Sequence, residues 1–242
     1  MNRILAIGDI HGGLRALIQL LERVEIRRKD RLIFLGDYVD GWSDSAEVVS
    51  YLIDLSKEFD CIFIRGNHDD LTQQWLENGK MTDQWLQHGG QSSINGYSKL
   101  PDRVKEEHLN FYRQMKNYYI DEHNRLFVHA GFTNLNGPES EYYSTGFYWD
   151  RTLWEMVMAL NPDLSPKDQR YPKRLGLFDE IYIGHTPVTR IGESRPVNLA
   201  NVWNVDTGAA FKGKISAIEV ASKQVWQSDP VFTLYPEESG RN

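Results

Sequence analysis

The sequence predicts an α/β protein built on parallel strands, and three observations support this prediction. Short apolar runs rich in β-branched and aromatic residues recur along the 242-residue chain, as buried strands do. Amphipathic helical patterns separate the first three runs, so strand and helix alternate. Polar residues flanked by glycine follow most of the runs. The alternation implies a parallel sheet with right-handed crossovers.

The individual elements follow from local patterns. The strand-like runs lie at 3–8, 31–36, 61–66, 125–131, 181–185 and 201–206. Between the first two runs, apolar residues recur at helical spacing from Leu14 to Val24, which predicts a helix with one buried face. Between the second and third runs, Asp44 and Glu47 are expected to cap the start of a second helix.

After the third strand-like run, the sequence pattern changes twice. Its middle is mostly helical, and Pro101 opens one helical pattern where the first turn tolerates proline. After residue 185 the runs "NVWNVD", "KISAIEV" and "KQVWQS" predict an antiparallel meander that completes a second sheet. The polar and aromatic segment 132–148 lacks apolar periodicity and is expected to be a lid or substrate loop, with a plain exposed insertion as the alternative. Because no linker interrupts the chain, we expect one domain over 1–242.

Composition limits the classes of function. The chain is 40% hydrophobic and 25% charged, as globular proteins are. Its formal charge of -7 argues against a broad nucleic-acid surface but leaves room for a local basic pocket. The apolar run at the amino terminus is too short for a signal peptide, and no segment is long enough to span a membrane. We therefore expect a cytoplasmic protein without membrane or nucleic-acid partners.

Polar residues at the strand exits form the candidate site. They are Asp9, His11, Asp37, Asp40, Asn67, His68, His129 and His185. The carboxyl ends of parallel strands share one edge, where ligands of such folds bind. Oxygen and imidazole donors suit manganese, iron or zinc. Each residue alone would be read as a turn former, helix cap or buried histidine, but their shared position at glycine-flanked exits favours a metal site. The last run ends in Asp206-Thr207-Gly208, the sixth exit expected at this cleft, to which we assign no role.

The ordered motifs "GDIHG", "GDYVDG", "GNHD", "HAG" and "GHT" resemble those of the calcineurin-like metallophosphoesterases. The similarity is closest to the serine/threonine phosphoprotein phosphatases and their bacterial relatives, which include symmetrical diadenosine tetraphosphate hydrolases. It extends from residue 5 to about residue 218. The resemblance implies a four-layer α/β/β/α sandwich with mixed sheets and a hydrolase that uses two divalent metal ions.

The resemblance also implies roles for individual residues. The expected metal ligands are Asp9 and His11 for one ion, Asn67, His129 and His185 for the other, and Asp37 as the bridge. His68 resembles the proton donor of the family, and Asp40 the carboxylate that orients it. We expect the ions to be manganese, with iron or zinc as alternatives. Together they would activate a hydroxide for attack on phosphorus.

The second motif departs from the family pattern. Many phosphoprotein phosphatases read Gly-Asp-x-Val-Asp-Arg-Gly there, whereas this chain has Gly41 directly after Asp40. The arginine that grips phosphate is therefore missing from its usual position. Arg151 is our best substitute, because it resembles an arginine of the bacterial relatives. Arg65 is a second candidate, for which a structural role is equally plausible.

Three functions compete at this point. The leading hypothesis is hydrolysis of phosphomonoesters, with phosphoserine or phosphothreonine in a protein, or a small phosphoester, as the substrate. The first alternative is a symmetrical dinucleoside polyphosphate hydrolase, because aromatic residues at the second motif and around the long loop could offer stacking surfaces for a base, with core packing or lid anchoring as their other interpretation. They are Trp42, Tyr142, Tyr143, Phe147, Tyr148 and Trp149. The second alternative is a non-catalytic phosphate-binding scaffold, against which the intact ligand set argues.

Overall fold

Two mixed five-stranded sheets form the centre of this computed structural model, which describes residues 3–241. Their strands are β1 Ile4–Ile7, β2 Arg31–Phe34, β3 Asp60–Phe63, β4 Tyr118–Ile120, β5 Arg125–Val128, β6 Glu180–Ile183, β7 Val197–Leu199, β8 Val202–Asn204, β9 Ser216–Glu219 and β10 Val225–Gln227. The strand order is β10-β9-β1-β2-β3 in the first sheet and β4-β5-β6-β8-β7 in the second. The sequence patterns had not predicted β4 or β7.

Nine α-helices connect or cover these strands in the described chain. They are α1 Leu14–Val24, α2 Ser45–Leu55, α3 Asn67–Asn78, α4 Asp83–Trp85, α5 Gln91–Tyr97, α6 Asp102–Gln114, α7 Gly146–Trp149, α8 Thr152–Met158 and α9 Val231–Leu234. The expected cap of α2 was wrong. Asp44 occupies the N-cap position without a capping hydrogen bond, and its carboxylate instead accepts one from the Tyr235 hydroxyl at 2.6 Å.

Alternation along the strands produces three apolar layers. In β1, Leu5 and Ile7 pack with the helices of the first sheet, whereas Ala6 points to the space between the sheets. In β5, Phe127 also fills the space between the sheets, while its neighbours pack on the outer face of the second sheet. Successive side chains of a strand point to opposite faces, so each strand serves two layers. The predicted α/β/β/α sandwich is confirmed.

The pairing of the strands corrects one detail. Strands β1, β2 and β3 pair in parallel, and so do β5, β6 and β8. Strands β9 and β10 do not complete the second sheet, as the predicted meander required. They join the first sheet, where β9 pairs antiparallel with β1. A period of two specifies which face of a strand is buried but not which sheet edge it joins.

The parallel strands of the two sheets bring the polar residues at their carboxyl ends together. The carboxyl ends of β1, β2 and β3 meet those of β5 and β6 at one cleft, although the strands belong to different sheets. The segment 132–148 is only partly irregular. It holds a short 3₁₀ turn at Pro138–Ser140 and leads into α7. Among residues 3–241, no helix is long and apolar enough to cross a membrane.

Candidate metal centre and active site

Six polar side chains from both sheets converge at the cleft. The Nε2 atom of His11 lies 3.6 Å from Oδ2 of Asp37 and 3.8 Å from Oδ2 of Asp9. From the second sheet, Nε2 of His129 lies 3.4 Å from the same Asp37 oxygen. The backbone N–H of His185 donates to the Asp9 carboxylate at 3.2 Å. Asp37 is therefore shared between the two halves of the cluster.

Asn67 links the remaining donors. Its Oδ1 lies 3.3 Å from Nε2 of His129 and 3.0 Å from Nδ1 of His185. Ligand atoms of Asp37, His129 and His185 all lie within 4.8 Å of one another. A second group with the same spacing contains Asp37 and His11, together with the imidazole of His68. The cleft thus holds two neighbouring donor groups that share one carboxylate.

The hydrogen bonds of two histidines show that the ligand atoms of the cleft suit cations. Nδ1 of His129 donates to the carbonyl of Leu35 at 2.7 Å, and Nδ1 of His11 donates to the carbonyl of Asp40 at 3.0 Å. These bonds leave each Nε2 atom facing carboxylate oxygens, where it holds either a proton or a cation. Lone pairs facing lone pairs repel each other unless positive charge lies between them. The residues present therefore fit divalent metal ions.

Burial adds to this need for positive charge. Burial raises the pKa of Asp9 to about 7, and burial together with the nearby Asp9 raises the pKa of Asp206 to about 8. Burial alone would also raise the pKa of Asp37, but His129 and His68 outweigh it and hold that pKa well below its usual range. Several acids in one dry cleft cannot all ionise without cations nearby.

The backbone at the site adopts conformations that most residues avoid. Eight described residues other than glycine have a positive φ, and four of them are His11, Asp37, Asp40 and His185. Such strain persists where the surrounding structure enforces it and is common at functional sites. Glycine allows the close approaches between strand exits: a Cβ at Gly184 would overlap the Asp9 carboxylate, and a Cβ at Gly66 would overlap that of Asp37. This is the role of the flanking glycines in the motifs.

Asp69, which the sequence analysis did not single out, holds the second and third exits together. Its carboxylate accepts hydrogen bonds from the backbone N–H groups of Gly66 and Asp37 at 2.8 Å and from that of Tyr38 at 2.9 Å. The side chain is fully buried. Three backbone donors on one carboxylate fix the loop that carries Asp37. The residue is the last letter of "GNHD", so the motif itself contained the signal.

His68 and Asp40 form a buried pair beside the donor groups. Nδ1 of His68 donates to Oδ2 of Asp40 at 2.7 Å, and the ring nitrogen Nε2 points toward the cleft. The Asp40 carboxylate is held in turn by Trp85 Nε1 and by the Ser93 hydroxyl, each at 2.5 Å. Because these donors fix the carboxylate, it fixes the orientation of the imidazole. Neither Trp85 nor Ser93 lies in a motif that the sequence analysis used.

The two predicted phosphate-binding arginines occupy different places. Arg151 lines the cleft, with Nε 3.4 Å from Nε2 of His185. Arg65 does not line the cleft. Its guanidinium donates to the Gln73 side chain at 2.5 Å and to the carbonyl of Tyr112 at 2.6 Å. This is the structural role that the sequence left open for Arg65.

A cavity of about 270 Å³ opens directly above the donor groups. Besides Arg151, its wall contains Trp149, which the sequence analysis named as a stacking surface, and Asp206, to which it assigned no role. The wall also contains Arg190 and Arg241, which the sequence analysis did not name. Trp149 is the single member of the predicted aromatic cluster in this wall, among the described residues. Asp206 follows β8 in the same way that the other site residues follow their strands. Arg241 has no comparable signal, since it belongs to no motif.

Comparisons with known proteins agree with this geometry. The profile of the calcineurin-like phosphoesterase family matches residues 2–207. The asymmetrical bis(5'-nucleosyl)-tetraphosphatase PrpE of Bacillus mycoides is 28% identical over 249 residues, which span 96% of each chain. A solved structure provisionally assigned as a diadenosine tetraphosphatase superposes with a TM-score of 0.64 at 19% identity, covering 93% of this chain and 92% of that one. A serine/threonine phosphatase of Saccharomyces cerevisiae superposes with a TM-score of 0.62 at 14% identity, covering 94% and 80%. These structures share the fold.

Proposed function

Because the chain belongs to the calcineurin-like phosphoesterase family and is thus a phosphoric ester hydrolase, we propose that it cleaves dinucleoside polyphosphates in a metal-dependent reaction. The observation that carries the choice of substrate is the charge of the cavity wall. Arg151, Arg190 and Arg241 line the same small cavity as the donor groups. A chain of phosphates offers several anionic groups to these arginines, whereas a phosphomonoester offers one. The protein as a whole is acidic, with a formal charge of -7, so this basic lining is local.

An exposed aromatic ring supports the same choice. Trp149 is 38% exposed at the cavity, and its ring lies 6.4 Å from that of His185. A partly exposed indole beside a phosphate site offers a stacking surface for a nucleobase. Trp42 does not, because it is buried and stacks on Tyr235 instead.

The relatives favour dinucleoside polyphosphates over phosphoproteins. The phosphoprotein hypothesis rested on motifs that both enzyme groups share, whereas a relative that spans 96% of the chain is named as an asymmetrical tetraphosphatase. We therefore place cleavage off-centre in the polyphosphate, which differs from the symmetrical cleavage considered from the sequence. With diadenosine tetraphosphate the products would be ATP and AMP.

The roles of the residues follow from the contacts. Divalent ions would be held by Asp9, His11, Asp37, Asn67, His129 and His185, and the oxygen-rich donor set suits manganese, with iron or zinc as competitors. When bound, such ions supply positive charge for phosphoryl oxygens and make water a stronger nucleophile near neutral pH. His68, held at Nδ1 by Asp40, presents Nε2 for proton donation to the leaving oxygen. Arg151, which lies beside His185 in the cavity wall, binds a phosphate oxygen.

Product analysis tests this function. Manganese-loaded protein is incubated with diadenosine tetraphosphate and, separately, with a phosphoserine peptide, and the products are separated by anion-exchange chromatography. We expect faster turnover of the dinucleotide, with ATP and AMP in equal amounts. Two molecules of ADP would show symmetrical cleavage, and a faster peptide reaction would restore the phosphoprotein hypothesis.

A matched variant controls for contaminating phosphatases. Asp37→Asn keeps the shape of the side chain but removes the carboxylate charge shared by both donor groups. Activity that survives in this variant does not come from the cleft. If neither substrate is cleaved although phosphate binds, the protein is the non-catalytic scaffold.

A further inference from the structure

The C-terminal segment, residues 235–241, lies against the part of the second motif that lacks an arginine. Gly41 follows Asp40 with φ of 127°, a conformation that disfavours any other residue. A Cβ built on Gly41 would have the Cγ atom of Arg241 3.6 Å away. His11 lies nearer, with its backbone oxygen at 3.1 Å, so the side chain of Arg241 is one of two neighbours of the position where the motif arginine is missing.

Several contacts hold this segment against the loop that follows Asp40. The Glu238 carboxylate accepts hydrogen bonds from the backbone N–H of Ser43 at 2.9 Å and from its hydroxyl at 2.7 Å. The Tyr235 ring stacks on Trp42 at 5.4 Å. The backbone N–H of Arg241 donates to the carbonyl of Ala210 at 2.9 Å. The segment therefore packs on the same loop that carries the glycine.

The guanidinium of Arg241 lines the cleft, and one of its hydrogen-bond donors has no partner there. Its NH1 group donates a hydrogen bond to Nε2 of His68 at 3.0 Å, and its Cζ atom lies 5.3 Å from the ring centre of Phe211. Its buried Nε has no hydrogen-bond partner. Among residues 3–241, no carboxylate is within ion-pair distance of it. A half-buried guanidinium whose buried Nε–H lacks a partner is costly unless an anion completes its bonds.

We propose that Arg241 is a phosphate-binding residue of this cleft and takes the place of the arginine that the second motif lacks. A phosphate oxygen next to His68 would accept from the guanidinium in a charge-assisted hydrogen bond. This proposal rests on the proposed function, since it requires that the cleft binds phosphate. It differs from that function in making a distant segment of the chain part of the substrate site.

Binding of inorganic phosphate tests the proposal without any assumption about the natural substrate. Isothermal titration of manganese-loaded protein gives the phosphate affinity of the wild type, Arg241→Ala and Arg241→Lys. We expect Arg241→Ala to bind phosphate about tenfold more weakly or worse, as the loss of a charge-assisted bond implies. Arg241→Lys should be intermediate, because lysine keeps the charge but not the planar fork. The manganese content should stay constant.

Two further variants separate binding from structure. Arg23→Ala removes another arginine that bonds to the C-terminal part of the chain, at Asp229, but lies outside the cleft, so its phosphate affinity should equal that of the wild type. Glu238→Ala leaves Arg241 in place but removes its anchor on Ser43, so it should show a smaller loss of affinity in the same direction.

The outcomes distinguish this proposal from the proposed function. If Arg241→Ala loses phosphate affinity while no variant or wild type cleaves diadenosine tetraphosphate, the arginine assignment stands and the substrate assignment fails. Unchanged phosphate affinity in Arg241→Ala, with cleavage intact, would overturn the arginine assignment alone. Tighter phosphate binding or faster cleavage in Arg241→Ala would also overturn it, since the arginine would then be blocking His68.

Discussion

At the scale of single residues, the pair of His68 and Asp40 leads to a prediction about leaving groups. An alkoxide is a strong base and needs a proton as its bond to phosphorus breaks, whereas p-nitrophenolate needs little help. A positioned general acid contributes about 10²- to 10⁴-fold in rate. We therefore expect His68→Asn to slow hydrolysis of a phosphoserine peptide far more than hydrolysis of p-nitrophenyl phosphate. The measurement is kcat/KM for both substrates at equal metal content.

The neighbouring carboxylate provides the companion variant. Asp40→Asn should show a weaker form of the same selectivity, because the imidazole keeps its proton-donating atom but loses the charged partner at 2.7 Å. Equal losses on the two substrates would mean that His68 acts in binding metal or phosphate, and another residue would have to be the proton donor.

Most residues of the site could be predicted from the sequence because each lies in a short local motif. Glycine, a polar residue and a preceding strand are adjacent in the chain, so the geometry of each exit is encoded within a few positions. Trp85 and Ser93 could not be found in this way. They hold Asp40 from a helical segment whose sequence carries no polar motif, and only tertiary packing brings them there.

At the scale of elements, the close contact between the exits of β6 and β1 predicts an effect of one methyl group. Gly184→Ala should push the Asp9 carboxylate from its position, because a Cβ there has no free space. Changes to residues that position metal ligands typically cost 10- to 100-fold in metal affinity. We expect a loss of about that size in manganese affinity, measured by titration of metal-free protein.

Gly176→Ala is the matched control for this element-scale prediction. A Cβ at Gly176 meets no atom within 4 Å, so its manganese affinity should equal that of the wild type. Wild-type affinity in Gly184→Ala would show instead that the strand exits can shift apart without disturbing the metal site.

The elements themselves were predictable to different degrees. Strands β1, β2 and β3 and their helices follow one another locally, so alternation of patterns suffices for them. The placement of β9 was not predictable, because its partner β1 lies at the other end of the sequence and its own pattern fits either sheet. The same limit applies to β4 and β7, which are short edge strands of three residues.

At the scale of the whole molecule, the candidate metal centre draws its residues from both sheets. Asp9, His11, Asp37 and Asn67 follow strands of the first sheet, whereas His129 and His185 follow strands of the second. Ions that bind only this assembled site stabilise the folded state by mass action, by about 2.7 kcal/mol at 100 times the dissociation constant. We expect added manganese to raise the Tm by several degrees and a chelator to reverse the rise.

The control is a variant that keeps the fold but weakens the site. In Asp37→Asn the manganese-dependent rise in Tm should be smaller, since both donor groups lose their shared carboxylate. A full rise in that variant would mean that the ions stabilise the protein from elsewhere.

Arg241 shows the limit of sequence reasoning at this scale. It contacts His68 across 173 positions of the chain, and no local pattern encodes such a contact. Arg151 was predicted from its resemblance to an arginine of bacterial relatives and Arg65 from its place beside a motif, and neither ground applies to Arg241. Contacts of this separation follow from the complete topology.

The pairing of β1 with β9 has a consequence for synthesis on the ribosome. β1 leaves the exit tunnel well before its antiparallel partner, which is translated more than two hundred residues later, at Ser216–Glu219. During that interval one edge of β1 lacks its neighbour, and an unpaired strand edge is a template for aggregation. The nascent chain therefore depends on prompt completion of translation. A ribosome that stalls before β9 would carry a chain with an exposed strand edge that is prone to aggregate.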